Sequence, residues 1–143
     1  MRIISAPGNQ KVFRQIRTIP QRFYNGIREG NFAIGSTLQK DIRRTMTEGK
    51  KKGRIYKIRG RRHQASAPGE APAVFTGALR GSVGFVVGTR ELKFGARAFY
   101  AGWLEEGTKK MKKRLYLKNA YFRNRRNAEV YYYKRITTRL LRI

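Results

Sequence analysis

The chain of 143 residues has no cysteine. That excludes disulfides and thiolate metal sites, and it fits a product made in a reducing cytosol. Histidine occurs once, at His63. A lone imidazole in a basic loop is far more often a solvated residue than a base or a ligand. Acidic residues are scarce: Glu29, Asp41, Glu48, Glu70, Glu91, Glu105, Glu106 and Glu129. Metal-dependent nucleases need several converging carboxylates, and these eight are scattered. The adjacent Glu105 and Glu106 diverge on a helix, so Glu105 is expected to pair with an Arg or Lys of its own subunit or of a neighbour. No apolar run approaches the roughly eighteen residues of a membrane span. The start, Met-Arg-Ile-Ile-Ser, lacks the apolar core of an export signal. The glycines from Gly77 to Gly81 lack the Lys-Ser/Thr end of a phosphate-binding loop and read as turn chemistry. No catalytic, metal or cofactor site is expected, and a hydrolase or nuclease ranks last among the possible classes.

What is present is positive charge. Thirty-four lysines and arginines against eight acids leave a net charge of +26. Such a chain repels itself and seeks polyanions, with nucleic acid the default partner and an acidic protein surface the next. The cations fall in runs. One holds Lys50, Lys51, Lys52, Arg54, Lys57, Arg59, Arg61 and Arg62, and another Lys109, Lys110, Lys112, Lys113 and Arg114. A third group, Arg123, Arg125 and Arg126, lies on the terminal helix. A single run reads as a solvated face; three with so few acids favour phosphate or acidic-partner contact, salt-sensitive and without a sequence code.

One domain is expected from the length. Residues 1–18 read as an arm with a short stripe at Val12, Phe13 and Ile16. Pro20 suits the first turn of a helix. Phe23, Ile27, Ile34, Leu38, Ile42 and Met46 then recur on one face, predicting a helix from 20 to about 48 that stops at Gly49. Gly26, Gly30 and Gly35 within it mark a bend or a close helix contact. Residues 49–75 read as an extended basic loop with a strand at Ile55–Ile58, expected to project from the domain and to order on assembly. Thr76 is placed to cap a turn through Leu79. Ser82–Val87 and Leu92–Ala98 alternate as paired strands around Gly88-Thr89, with Leu92, Phe94 and Ala96 on one face. Residues 109–114 are expected to be extended. A last helix from about 119 to 140 would bury Phe122, Val130, Tyr133, Ile136 and Leu140, leaving Tyr131 and Tyr132 for another subunit. The class is α+β: long N-terminal and C-terminal helices packed on a small antiparallel β-sheet, with a long basic loop.

The densest motif is Tyr100-Ala101-Gly102-Trp103-Leu104-Glu105-Glu106-Gly107-Thr108-Lys109-Lys110-Met111. Tyr100, Trp103 and Leu104 share a helical face, and Gly107 stands where a helix end needs a positive φ. This unit resembles a motif of tailed-bacteriophage neck proteins, the tail-completion or head–tail joining (minor tail) proteins. On pattern are Tyr100, Ala101, Leu104, Glu105, Gly107, Thr108, Lys110 and Met111, followed by Arg114, Tyr116 and Leu117. Upstream, Pro68-Gly69-Glu70-Ala71-Pro72 and Thr76-Gly77-Ala78-Leu79-Arg80-Gly81-Ser82 look like the family's second motif. The likeness covers roughly Ala67 to Ala120. Glu106 replaces an aromatic, Lys113 a small residue and Leu115 a proline.

The resemblance implies a structural virion protein: a ring-forming subunit, sixfold by tail symmetry, that completes the tail or joins it to the head. Its place would be the neck, after synthesis in the host bacterial cytoplasm. Partners would be other copies, neighbouring neck, tail-terminator or connector proteins, and packaged DNA, with no membrane. Tyr100, Trp103, Leu104, Glu105, Gly107 and Thr108 are the expected subunit contact. The basic residues from Lys50 to Arg62 and from Lys109 to Arg114 are the expected DNA or acidic-partner contacts. The competing reading is a non-specific nucleic-acid-binding module of ribosomal or chromatin type.

Overall fold

The four-residue rhythm of Ile34, Leu38, Ile42 and Met46 builds the core. All four are buried on one face of helix α1, Asn9–Thr47. A computed structural model describes residues 9–48 and 51–141. The architecture is α+β, as the sequence implies, but its strands form two separate antiparallel hairpins. Strand β1, Ile55–Ile58, pairs with β2, Arg61–Gln64. A short helix α2, Ala78–Ser82, leads into β3, Val83–Val87, which pairs with β4, Leu92–Ala96. Helices α3, Ala101–Glu106, and α4, Tyr116–Leu141, complete the chain.

Helix α1 begins before the expected position and runs through Pro20. A proline inside a helix removes one hydrogen bond, here to the Ile16 carbonyl. The surrounding turns are exposed, so water can satisfy that carbonyl. The Thr18 hydroxyl donates to the Gln15 carbonyl at 2.8 Å. The expected arm over residues 1–18 is therefore helical from Asn9 onward. Residues 1–8, the Phe13 side chain and the Gly49 stop lie outside the described residues. Val12 and Ile16 do not dock on the domain; both are exposed.

Helix α4 lies antiparallel on α1, and glycines set how closely. A methyl group added at Gly26 would stand 2.9 Å from the Ile136 Cα, and one at Gly30 2.7 Å from the Tyr132 ring. Gly35 is closed in the same way by the ring of Phe85 on β3. The close-contact reading of these glycines holds. Two ion pairs fasten the helices. Arg139 Nε donates to Glu29 at 2.9 Å, and Arg123 donates to Asp41 through Nε at 3.1 Å and Nη2 at 2.8 Å. The fully buried Asn31 ties three elements together. Its amide donates to the Glu91 carbonyl at 3.2 Å, in the β3–β4 turn, and it accepts from the Tyr132 hydroxyl. On the other side of α1, Gln39 and Arg43 both donate to the Val83 carbonyl, at 2.8 and 2.9 Å.

The buried face of α4 differs from the expected one. Phe122, Val130 and Tyr133 are exposed, and only Ile136 and Leu140 of that set are half-buried. The inward row is Tyr116, Ala120, Asn124, Ala128 and Tyr132, spaced by four. Tyr131 and Tyr132 pack against the core instead of facing outward, while Tyr133 is 77% exposed. Small and amphipathic residues form this face, with Asn124, Ala128 and Tyr132 beside Ile34 and Leu38 of α1. The β3–β4 hairpin lays Phe85, Leu92, Phe94 and Ala96 inward, and its loop closes with Gly88 N–H donating to the Glu91 carbonyl at 2.9 Å.

Gly26→Ala should destabilise the fold by about 1–3 kcal/mol through overpacking against the α4 backbone, although alanine is the better helix former by about 1 kcal/mol. Gly102→Ala, in α3 with open space around it, should be neutral or stabilising by up to about 1 kcal/mol. Urea unfolding of both variants checks the pair: equal effects would refute the close-approach argument.

Candidate functional site

The corner between β4 and α4 carries the densest motif. Beyond β4, Arg97 N–H donates to the Ser82 carbonyl at 3.1 Å. The chain then turns into α3, where Ala101 is buried and Tyr100 and Leu104 pack on the core. Trp103 points away and is 56% exposed. Its ring meets Phe99 edge-on at 5.9 Å, and Phe99, 83% exposed, also meets Tyr100 at 5.1 Å. The helix ends at Gly107, whose φ is 83° and whose N–H donates to the Trp103 carbonyl at 2.9 Å. A side chain there would also strike the Met111 carbonyl at 2.8 Å, so the motif requires glycine twice over.

Thr108 to Met111 form a tight turn, closed by Thr108 N–H to the Met111 carbonyl at 2.8 Å and by the reverse bond at 3.1 Å. This replaces the extended segment expected over 109–114 and sets Lys109 and Lys110 at a solvent-facing tip. The Glu105 carboxylate accepts from the N–H groups of Leu117 at 2.9 Å and Lys118 at 2.9 Å. It therefore caps the N-terminus of α4, where the helix dipole and unpaired amides favour an anion. Among the described residues its hydrogen-bonding partners are these backbone amides and not the Arg or Lys side chain of its own subunit that the sequence suggested. Leu115 has φ 34°, a value closed to proline, whose ring holds φ near −65°. The family's proline could not stand at this position without moving the chain.

Of the expected contact residues, Tyr100, Leu104, Glu105, Gly107 and Thr108 build the corner from within. Trp103 alone presents a large apolar face outward, joined by Phe99, which the motif reading passed over. The face that the sequence assigns to Tyr100, Trp103 and Leu104 together is divided: Tyr100 and Leu104 pack on the core beside the buried Ala101, and Trp103 stands exposed.

The basic run before β1 divides similarly. Lys51 turns inward and donates to the carbonyls of Thr45 at 3.2 Å and Ala71 at 3.1 Å. Burial lowers its pKa, opposed by the nearby Glu70 carboxylate. Glu70 itself accepts from the backbone N–H groups of Ala67 at 2.8 Å and Lys52 at 3.1 Å, and these bonds hold its pKa below the usual value. Arg114 is also structural: its N–H donates to the Leu104 carbonyl at 2.9 Å and its Nη2 to the Ser66 carbonyl at 2.9 Å. It thereby ties the corner to the base of the β1–β2 hairpin. Lys52, Arg54, Arg61, Arg62, Lys109, Lys110, Lys112 and Lys113 remain exposed, and Lys50 lies outside the described residues. His63 is half-buried with its ring 4.8 Å from Phe75, not a solvated loop residue.

The stretch expected as an extended loop contains a regular hairpin. Arg59 and Gly60 turn it with φ 50° and 78°, the two positive values of a type I′ turn. An Arg-Gly pair between Ile-Tyr-Lys-Ile and Arg-Arg-His-Gln is the signal that could have located it. Among the described residues, no three His, Asp or Glu side chains converge to hold a metal ion, and no helix is long and apolar enough to cross a membrane. Comparison with protein-family models, with curated proteins and with solved structures finds no match for the chain.

Glu105→Ala should cost about 1 kcal/mol of unfolding free energy through the lost cap, while Glu106→Ala, at an exposed position, should change nothing measurable; chemical denaturation distinguishes them. Burial, helped by Glu105 and Tyr100, pushes the Tyr116 phenol up to about 12. A folded pKa above the unfolded value of about 10 means stability fully present below pH 10 and lost as the pH climbs through 12. The stability advantage of wild type over Tyr116→Phe should shrink by roughly 2–3 kcal/mol across that window, measured by urea unfolding at stepped alkaline pH.

Proposed function

We propose that this chain is a structural subunit of a tailed-phage neck, forming a ring at the head–tail junction that completes the tail or joins it to the head. The role is assembly, not catalysis, and the partners are further copies, neighbouring neck proteins and packaged DNA. The observation that carries the proposal is exposed apolar surface gathered in two patches among the described residues. Gly26 of α1 meets Ile136, five residues before Leu141 closes the described part of α4, so among the described residues the first turns of α1 run past α4 by about 18 Å at 1.5 Å per residue. Val12, Ile16 and Ile19 on these turns, with Phe23 at their base, line one face, all exposed. This 4-3-4 spacing is the seam of a helix that packs on another. Phe99 and Trp103 form the second patch, beside the opposite end of α4.

Two unlike patches at opposite ends favour a head-to-tail contact, the kind that closes into rings. Size supports the same reading. The chain exposes 11389 Å², against roughly 7,600 Å² expected for a compact monomer of its mass. The surplus of about 4,000 Å² falls within the range of large permanent interfaces, about 2,000–5,000 Å². The motif resemblance supplies the setting, and the surplus of cations suits a junction through which DNA passes.

Light scattering at high salt, where like-charge repulsion between copies is screened, should give a multiple of the monomer mass. Ile16→Asp with Ile19→Asp, and separately Phe99→Asp with Trp103→Asp, should each reduce it toward the monomer with the helical circular dichroism kept. A strictly monomeric wild type, or phage particles lacking the chain at the neck, would sink the proposal; tight DNA binding by that monomer would favour a nucleic-acid-binding module instead.

A further inference from the structure

We infer that the β1–β2 hairpin is an arm that enters the major groove of duplex DNA. The inference uses the neck reading only to say where the duplex would be met. Gly53 and Ala65 root the arm: Gly53 N–H donates to the Ala65 carbonyl at 3.0 Å, and Ala65 N–H to the Arg54 carbonyl at 3.0 Å. His63 against Phe75 holds one side of the base. Beyond that base, every residue from Arg54 to Arg62 is exposed, and the register leaves both faces of the ribbon open. Ile55, Lys57, Arg62 and Gln64 share one face; Tyr56, Ile58, Arg61 and His63 share the other.

Two features decide what such an arm fits. The first is where its charge lies. Lys57 and Arg62 project from one face, Arg61 from the other and Arg59 from the tip, and residues 51–69 contain no acid. A surface laid flat on a row of phosphates needs cations on one side only. Cations on both sides and at the tip suit a trench with phosphate walls on either hand. The second is exposed apolar surface, at Ile55, Ile58 and Tyr56, whose ring carries the Arg54 guanidinium 5.8 Å from its centroid. A solvated basic loop has no use for it, whereas base edges and thymine methyl groups in a groove do. The dimensions agree. Four-residue strands reach about 13 Å, and the B-form major groove, about 12 Å wide and 8.5 Å deep, admits a two-stranded ribbon. The deep, narrow major groove of duplex RNA does not.

The test is fluorescence anisotropy of the full chain on labelled duplex DNA, and on duplex RNA of the same sequence, over a range of salt. Arg59→Gln/Arg61→Gln/Arg62→Gln should flatten the slope of log K against log salt for DNA by about 2.7, three phosphate contacts at about 0.9 each. Lys40→Gln/Lys134→Gln/Arg135→Gln removes the same charge from exposed helix positions and should alter the slope by less than about 1. Tyr56→Ala/Ile58→Ser should weaken DNA binding about tenfold at every salt with the slope unchanged, and RNA binding should be insensitive to it. Equal slope losses from the two charge triples would overturn the inference in favour of a diffuse field. Equal effects of Tyr56→Ala/Ile58→Ser on DNA and RNA would overturn groove entry. Light scattering on the same variants keeps the neck reading separate: a monomer with intact arm-dependent binding fails that reading alone, and an oligomer without it fails this one alone.

Discussion

The close approach of α1 and α4 is the constraint on which the rest depends. Gly26 and Gly30 remove side chains where Ile136 and Tyr132 press in, and Gly35 does the same for Phe85. Three glycines inside one helix weaken it by about 1 kcal/mol each where the position is exposed. Here each admits a partner that a methyl group would push away. The Asn31 amide reaches both the Tyr132 hydroxyl and the Glu91 carbonyl only at this separation. The β3–β4 hairpin thus sits where the helix pair puts it, and the corner follows from the hairpin.

Much of this was legible in the sequence. The Ile34–Met46 period, the paired strands around Gly88, the stop at Gly107 and the α+β class follow from patterns with a single physical reading. The misses share a cause. Periodicity weights large apolar residues, so Phe122, Val130 and Tyr133 stood out on α4. The face that packs is Ala120, Asn124, Ala128 and Tyr132, whose small or polar members apolar periodicity does not weight. Pro20 read as a helix start because proline usually marks one; in an exposed stretch of α1 its cost falls on solvent-accessible backbone. At the corner, Tyr100, Trp103 and Leu104 read as one face, but Tyr100 and Leu104 pack on the core and Trp103 stands exposed. Phe99 lay one position outside the motif, and nothing in spacing alone distinguishes an aromatic that packs from one left out.

The acids show a division of labour that composition could not reveal. Glu29 and Asp41 clamp α4 to α1. Glu70 gathers the backbone below the basic hairpin, Glu105 caps α4, and Glu48 and Glu91 pair with nearby cations. Six of the eight carboxylates therefore serve the fold locally. None of those six lies on the hairpin or at the tip of the Thr108–Met111 turn. The segments 50–62 and 109–114 carry 13 cations and no acid, half of the net charge of +26, and the rest of the chain carries the other half.

In the ring we propose, that arrangement couples assembly to a polyanion. Copies that meet through the α1 overhang and the aromatic corner bring like charge into proximity, and the repulsion grows with every subunit added. Screening by salt reduces the penalty, but only within a Debye length of about 8 Å at physiological strength. A polyanion held among the projecting arms offsets it directly and releases its own counterions in doing so. Burial of the aromatic and α1 patches then supplies the attraction, and the polyanion removes the opposition. In that proposed ring, closure and DNA engagement are two linked equilibria, each lowering the free energy of the other.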